Sequence, residues 1–152
     1  MKRLLTLLII AGTVLTSCSK DDDNPKPKSQ VKATIEGVEI TFNTVNVELY
    51  HYPQEGYTDV EVTASVNNDP TRLITFIVTR NVVGPHASWY FSYFENATAF
   101  PKVEGEFSTV VNENTQTTLK GTFSGTVRSV GNPVEENRTL ANGTFDITYN
   151  QN

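Results

Sequence analysis

The side chains best suited to chemistry in this chain are the aromatics of Trp89-Tyr90-Phe91-Ser92-Tyr93-Phe94. Successive residues of a strand point to opposite faces. That alternation puts Trp89, Phe91 and Tyr93 on one face and Tyr90 and Phe94 on the other. If one set meets solvent it forms a platform, extended by Tyr50, Tyr52 and Tyr57 from a nearby loop. Such rings stack on the apolar C–H surface of sugars, and the tyrosine hydroxyl adds a polar handle. An exposed aromatic patch is a recognition feature in its own right. The competing reading buries both faces in a sandwich or barrel.

The other reactive groups make weaker cases. His51 and His86 are the only histidines, each placed in a loop. A zinc centre needs about three protein ligands at suitable spacing, and no such set is legible. Asp21 to Asp23 lack the glycine and terminal glutamate of a calcium loop. Glu104 and Glu106 share a strand face, but glycosidase carboxylates work across a cleft, and nothing in the pattern indicates one. The chain has no nucleophile elbow, P-loop, dinucleotide fingerprint or HExxH motif. No cofactor or metal is expected.

Cys18 is the only cysteine, so it has no disulfide partner within the chain. Its context is informative. Lys2 and Arg3 precede an apolar run from Leu4 to Leu15, broken by Thr6, Gly12 and Thr13, and then Thr16 and Ser17. This is the layout of a secretory signal peptide, too short for a membrane span of roughly 20 apolar residues. Leu15-Thr16-Ser17-Cys18 resembles the lipobox of bacterial lipoproteins. The resemblance implies cleavage before Cys18 and two or three fatty-acyl chains, such as palmitate, on that residue. One chain holds a protein only marginally, at about 0.8 kcal/mol per buried CH₂, so two or three anchor it firmly.

Ser19-Lys20-Asp21-Asp22-Asp23 reads either as a solvated acidic spacer or as an address. It resembles the Lys/acidic export signal that follows the cysteine in surface lipoproteins of the Bacteroidota. The resemblance implies the outer face of the outer membrane. Asn24 to Gln30, with alternating Pro and Lys, is an extended tether. At roughly 3.1 Å per residue, the segment from Ser19 would hold a domain on the order of 35 Å from the bilayer. The organisation is therefore a signal peptide over 1–17, a lipidated, disordered tether over 18–30, and one β domain over 31–150.

Charge excludes some partners. The formal net charge is -5, from 12 basic and 17 acidic residues. Loss of Lys2 and Arg3 with the signal peptide leaves 10 basic against 17 acidic residues, or -7. So acidic a chain has no electrostatic footprint for nucleic acid. Anionic head groups would repel it, so membrane attachment rests on the lipid.

The domain itself, about 120 residues, is large enough for one core without disulfides. Period-two alternation begins at Val31 and continues with little interruption. Val31, Ala33 and Ile35 form one apolar set; Val38, Ile40 and Phe42, then Val45, Val47 and Leu49, then Val60, Val62, Ala64 and Val66 follow. Tyr50 to Thr58 reads as a loop, and Asn67-Asn68-Asp69-Pro70 as a turn. Arg72 to Thr79 is apolar on both faces, as a doubly covered central strand would be. Asn96 to Pro101 reads as loop or edge. Gly105-Glu106-Phe107, Gly121-Thr122-Phe123 and Gly143-Thr144-Phe145 share a frame in which each Gly opens a strand and each Phe is its first core anchor.

These patterns predict an all-β fold, an antiparallel meander-rich sandwich of about 8–9 strands, with a closed lipocalin-like barrel as the alternative. Anchor, acidic tether and a small β domain ending in Gly-Thr-Phe motifs together resemble a group of Bacteroidota surface lipoproteins with no assigned activity. Three functions stand. A non-catalytic surface module would bind a glycan, peptide or protein through exposed Trp89, Tyr90, Phe91, Tyr93 or Phe94. A carrier of a small apolar ligand would line a barrel cavity with Trp89, Phe91 and Tyr93. A hydrolase would need a catalytic pair that the sequence does not display.

Overall fold

The computed structural model describes residues 29–131 and 134–150. Cys18 and the segment Ser19, Lys20, Asp21, Asp22 and Asp23 lie outside them. Among the described residues, nine antiparallel strands make up the fold: β1 (Gln30–Ile35), β2 (Val38–Phe42), β3 (Thr44–Tyr52), β4 (Tyr57–Val66), β5 (Asp69–Thr79), β6 (Ser88–Glu95), β7 (Thr98–Asn114), β8 (Thr118–Arg128) and β9 (Asn137–Thr148). They form one sheet in the order β2-β1-β9-β8-β7-β6-β5-β4-β3. The fold is all-β and antiparallel, and β3 to β9 are a meander. The N-terminal hairpin is added beside β9.

Local chemistry sets the hairpins. Glu36-Gly37, Asn67-Asn68 and Asn96-Ala97 each join two strands, and all six residues have positive φ. Two-residue turns of that hand match the twist of the flanking strands. The strands are longer than the sequence pattern indicates. Tyr50, Tyr52 and Tyr57 are not in a loop: Tyr50 pairs with Asp59 and Tyr52 with Tyr57 across the β3–β4 ladder. The domain also starts earlier than Val31. Gln30 pairs with Asp146, and the Ser29 hydroxyl donates to the Thr148 carbonyl at 2.9 Å.

The sheet curls into a half-barrel. β7 does much of this, pairing with β6 through Thr98–Pro101 and with β8 through Lys102–Asn114. Its register is interrupted between Lys102 and Phe107, where Gly105 has φ 81°. The two sheet edges, β2 and β3, are consecutive strands separated by Asn43, yet no ladder joins them among the described residues. The closed-barrel alternative is therefore not the architecture. Reciprocal hydrogen bonds of 2.7 Å between Asn43 and Asn67 tie the corner to the β4–β5 turn.

The concave side is packed solid with aromatics. Phe76 and Phe91 from one half meet Phe145 and Phe123 from the other at 4.9 Å each, and Phe107 lies 4.4 Å from Phe91. The three Phe anchors of the Gly-x-Phe frames thus enter the core as expected. The glycines do not open strands. Gly121 and Gly143 lie inside β8 and β9, where Gly121 faces Phe145 and Gly143 faces Phe123. A Cβ at either position would fall 2.3–2.4 Å from the opposing ring. Each glycine is a seat for a phenylalanine of the neighbouring strand.

β5 departs from its double-faced pattern too. Ile74, Phe76 and Val78 are buried, while Leu73 and Ile77 are half-buried on the convex side. One face of the sheet is core and the other meets solvent, as antiparallel sheets commonly arrange.

Candidate functional site

The register of β5 and β6 decides which aromatics reach the surface. Phe76 pairs with Phe91 and Ile77 with Tyr90, but Val78 pairs with Ser88. Trp89 is therefore the extra residue of a β-bulge. A bulge re-aims the side chains of its strand. Here it turns Trp89 away from the face of Phe91 and Tyr93. Simple alternation had grouped those three; the structure separates them. Phe91 and Tyr93 are 1% and 0% exposed, whereas Trp89 is 53% exposed. Phe94 is half-buried on the convex side, paired with Leu73.

Trp89 and Tyr90 then join the tyrosines of β3 and β4 on one convex surface. Tyr50, Tyr52, Tyr57 and Tyr90 are each about two-fifths exposed. Tyr52 and Tyr57 stack at 4.8 Å, and Trp89 meets Tyr90 edge-on at 6.3 Å. Five large aromatics on one solvent face exceed the single scattered apolar residues of an ordinary surface.

Carboxylates accompany the rings. Glu48, Asp59 and Glu61 occupy outward positions of β3 and β4. Asp59 is only 3% exposed. Its Oδ1 accepts long hydrogen bonds from the Thr79 hydroxyl at 3.3 Å and the Trp89 indole N–H at 3.4 Å. Glu48 accepts from the Tyr50 hydroxyl at 2.8 Å and the Asn46 amide at 3.1 Å. That bond, and the charge on Glu48, raise the Tyr50 phenol above its ordinary pKa. Burial, then the charge of Asp59, raises Tyr57. Glu48 and Glu61 face each other directly in the ladder. Trp89, Tyr50, Tyr52, Asp59, Glu61 and Ile77 line a small open niche of about 120 Å³.

No protein-family model, curated protein or solved structure matches this chain.

The remaining depressions are different in kind. One of about 570 Å³ on the convex side of β7–β9 is lined by Ser108, Thr122, Ser124 and Thr144 among others and carries no ionisable group. Another, of about 580 Å³, flanks the β3–β4 turn at His51 and Arg80. A third encloses Arg72, Arg138 and Glu95. Glu95 accepts hydrogen bonds from Tyr93 at 2.9 Å, Arg72 at 2.8 Å and Arg138 at 3.4 Å. Arg138 also lies 4.9 Å over the Phe100 ring. Burial, then Glu95, pushes the Tyr93 phenol up. This cluster satisfies its own charges and reads as structural.

His51 and His86 are exposed, and no group of three or more His, Cys, Asp or Glu is placed to hold a metal among the described residues. Glu104 pairs with Lys102 at 3.0 Å. Sequence reasoning missed Asp59 and Glu61 as site residues. Their signal was present: both are polar positions alternating with Val60 and Val62, two and four residues after Tyr57. Reading Tyr50–Thr58 as a loop hid the register that brings them to Tyr50.

Proposed function

We propose that this chain is a non-catalytic recognition module, anchored through acylated Cys18 on the outside of a cell, that binds its partner with the convex face of β3–β6. The observation that carries the reading is the gathering of Trp89, Tyr90, Tyr50, Tyr52 and Tyr57 on that face, all substantially exposed. A bulge that turns the only tryptophan outward is costly for a purely structural strand, since Trp89 buried in the core would contribute about 2–3 kcal/mol more. Rigid aromatics on a sheet lose little conformational entropy on contact, which favours recognition. The carrier reading required Trp89, Phe91 and Tyr93 around one cavity, and the bulge places Trp89 on the opposite face from the other two.

An array of immobilised oligosaccharides and peptides tests the reading, probed with the full chain and with a Trp89→Ala/Tyr52→Ala variant of unchanged melting temperature. Signals that vanish in the variant support it. Signals equal in both proteins contradict it. The anchor is tested separately, by the mass of the protein recovered from its native membrane: cleavage before Cys18 with added acyl mass is expected, and an unmodified thiol would refute it.

A further inference from the structure

The convex face has an excess of one sign that the chain does not compensate. The outward positions of β3 to β6 hold Glu48, Asp59 and Glu61 and no lysine, arginine or histidine. The ion pairs among the described residues engage Glu95, Glu104, Glu113, Glu135, Glu136 and Asp146, and none engages these three. Two of the three stand in an unfavourable arrangement. Glu48 and Glu61 are directly opposite in the ladder, and like charges so placed destabilise a sheet. The third, Asp59, is nearly all buried, and a carboxylate taken from water is costly unless it is paired. Both bonds to Asp59 fall on Oδ1 and come from neutral donors.

The same chain shows what completes such a site. At Glu95 and Phe100, the Arg138 guanidinium lies over the ring and donates to the carboxylate. Beside Trp89 the ring and the carboxylates are present and the guanidinium is not. Tryptophan is the strongest aromatic partner for a cation. A planar guanidinium both stacks on a ring and forks onto a carboxylate, which an ammonium does less well. The niche, at about 120 Å³, is well below the roughly 300–1,000 Å³ of pockets that enclose whole small molecules. It suits one side-chain head group.

We propose that the convex face of β3–β6 binds a basic peptide segment, with an arginine guanidinium seated in the niche lined by the Trp89 ring and the carboxylates of Asp59 and Glu61. This inference rests on the recognition reading above and assigns the partner's chemistry. A neutral sugar would stack on Trp89 but would leave the three charges as they are. The Glu48–Glu61 pair carries a distinctive consequence: neutralising one member removes a repulsion from the free protein while removing an attraction from the complex.

Titration of the full chain with tetra-arginine amide tests this, read by Trp89 fluorescence, which reports this site alone because the chain has one tryptophan, and by calorimetry for every variant. Tetra-citrulline amide, an uncharged isostere, and cellohexaose are the comparison probes. Saturable binding of tetra-arginine is expected, weakened by added salt, with no binding of tetra-citrulline. Asp59→Asn, Glu61→Gln and Trp89→Ala each weaken it, on the order of 5- to 10-fold. Glu135→Gln, on the β8–β9 connection, leaves it unchanged. Should Asp59→Asn fail to fold, Glu61→Gln decides the matter, with a melting temperature equal to or above wild type alongside its weaker binding. Equal binding of tetra-arginine and tetra-citrulline, or equal loss in Glu61→Gln and Glu135→Gln, overturns the cationic assignment. Cellohexaose binding lost in Trp89→Ala, without tetra-arginine binding, overturns the assignment and keeps the recognition reading. Silence from all three probes overturns the assignment and removes its support from that reading.

Discussion

Replacing Gly143 by alanine should destabilise the fold by about 2–3 kcal/mol. An added Cβ would lie 2.4 Å from Phe123 Cδ2, 2.5 Å from Cε2 and 2.4 Å from the Phe123 carbonyl oxygen. Carbon atoms rest about 3.5–4.0 Å apart, so each contact must open by roughly 1 Å or more. The ring has little room to yield, because Phe123 lies 4.9 Å from Phe91 and 6.3 Å from Phe107. Overpacking of this kind costs about 1–3 kcal/mol. The overlap with a backbone oxygen puts Gly143 at the upper end, and the lower unfolded-chain entropy of alanine returns about 0.5–1 kcal/mol. Urea unfolding followed by circular dichroism should show a lower midpoint with an unchanged slope. Adding Phe123→Leu trims the ring and relieves part of the overlap, so the double variant should lose about 1 kcal/mol less than the sum of the singles. A Gly143→Ala midpoint within error of wild type, or strict additivity with Phe123→Leu, would refute the glycine-seat account.

Ala97 holds φ 67° in the β6–β7 turn, a conformation that costs a non-glycine residue about 1–2 kcal/mol; Ala97→Gly should raise the melting temperature by a few degrees, and a decrease would count against the turn geometry. Burial works to raise Glu95, but hydrogen bonds from Tyr93 and Arg72 prevail and hold its folded pKa below the ordinary value. Its contribution is then fully present above the unfolded glutamate pKa of about 4.3 and is lost as pH falls through the lower folded value. Wild type should exceed Glu95→Gln in stability at pH 6, by about 1–3 kcal/mol, and the gap should narrow at pH 3; a gap that widens on acidification would reverse the assignment. Glu61→Gln should stabilise the free protein by a few tenths to about 1 kcal/mol through relief of the Glu48–Glu61 repulsion, measured by thermal unfolding at low salt, and a loss of stability would show that the pair is not repulsive.

Strand content and core composition were legible because alternation is strict wherever one face is buried. Val31, Ala33, Ile35, Val60, Val62 and Ala64 are core residues in both readings. Turns were legible where side chains announce them, as at Asn67-Asn68; at Asn96-Ala97 the break was legible but its length was not, and the loop-or-edge reading over Asn96 to Pro101 ran into β7, which begins at Thr98. The long β7 was missed for a related reason: Pro101 and Gly105 are strand breakers by propensity, yet they mark the corner where the strand passes from one half of the sheet to the other. β5 read as doubly buried because composition does not distinguish a core residue from one half-covered by convex neighbours. At the site, the loop reading of Tyr50 to Thr58 hid Asp59 and Glu61, and alternation misplaced Trp89. Period two assigns Trp89 to the face of Phe91 and Tyr93, and a one-residue bulge reverses it. Nothing in Ser88-Trp89-Tyr90 announces that bulge, whose position depends on pairing with β5. The tyrosines were associated with Trp89 as loop residues, whereas they belong to the β3–β4 ladder, where Tyr50 faces Asp59 and Tyr52 faces Tyr57.

Nitrogen-15 NMR of the full chain, titrated with tetra-arginine amide, tests the central claim most directly. The account predicts that the largest shifts fall on the Trp89 indole N–H and on the amides of Tyr50, Asp59 and Glu61, with β8 and β9 little changed. Binding that leaves the Trp89 indole unmoved, or that centres on β7–β9, would contradict it.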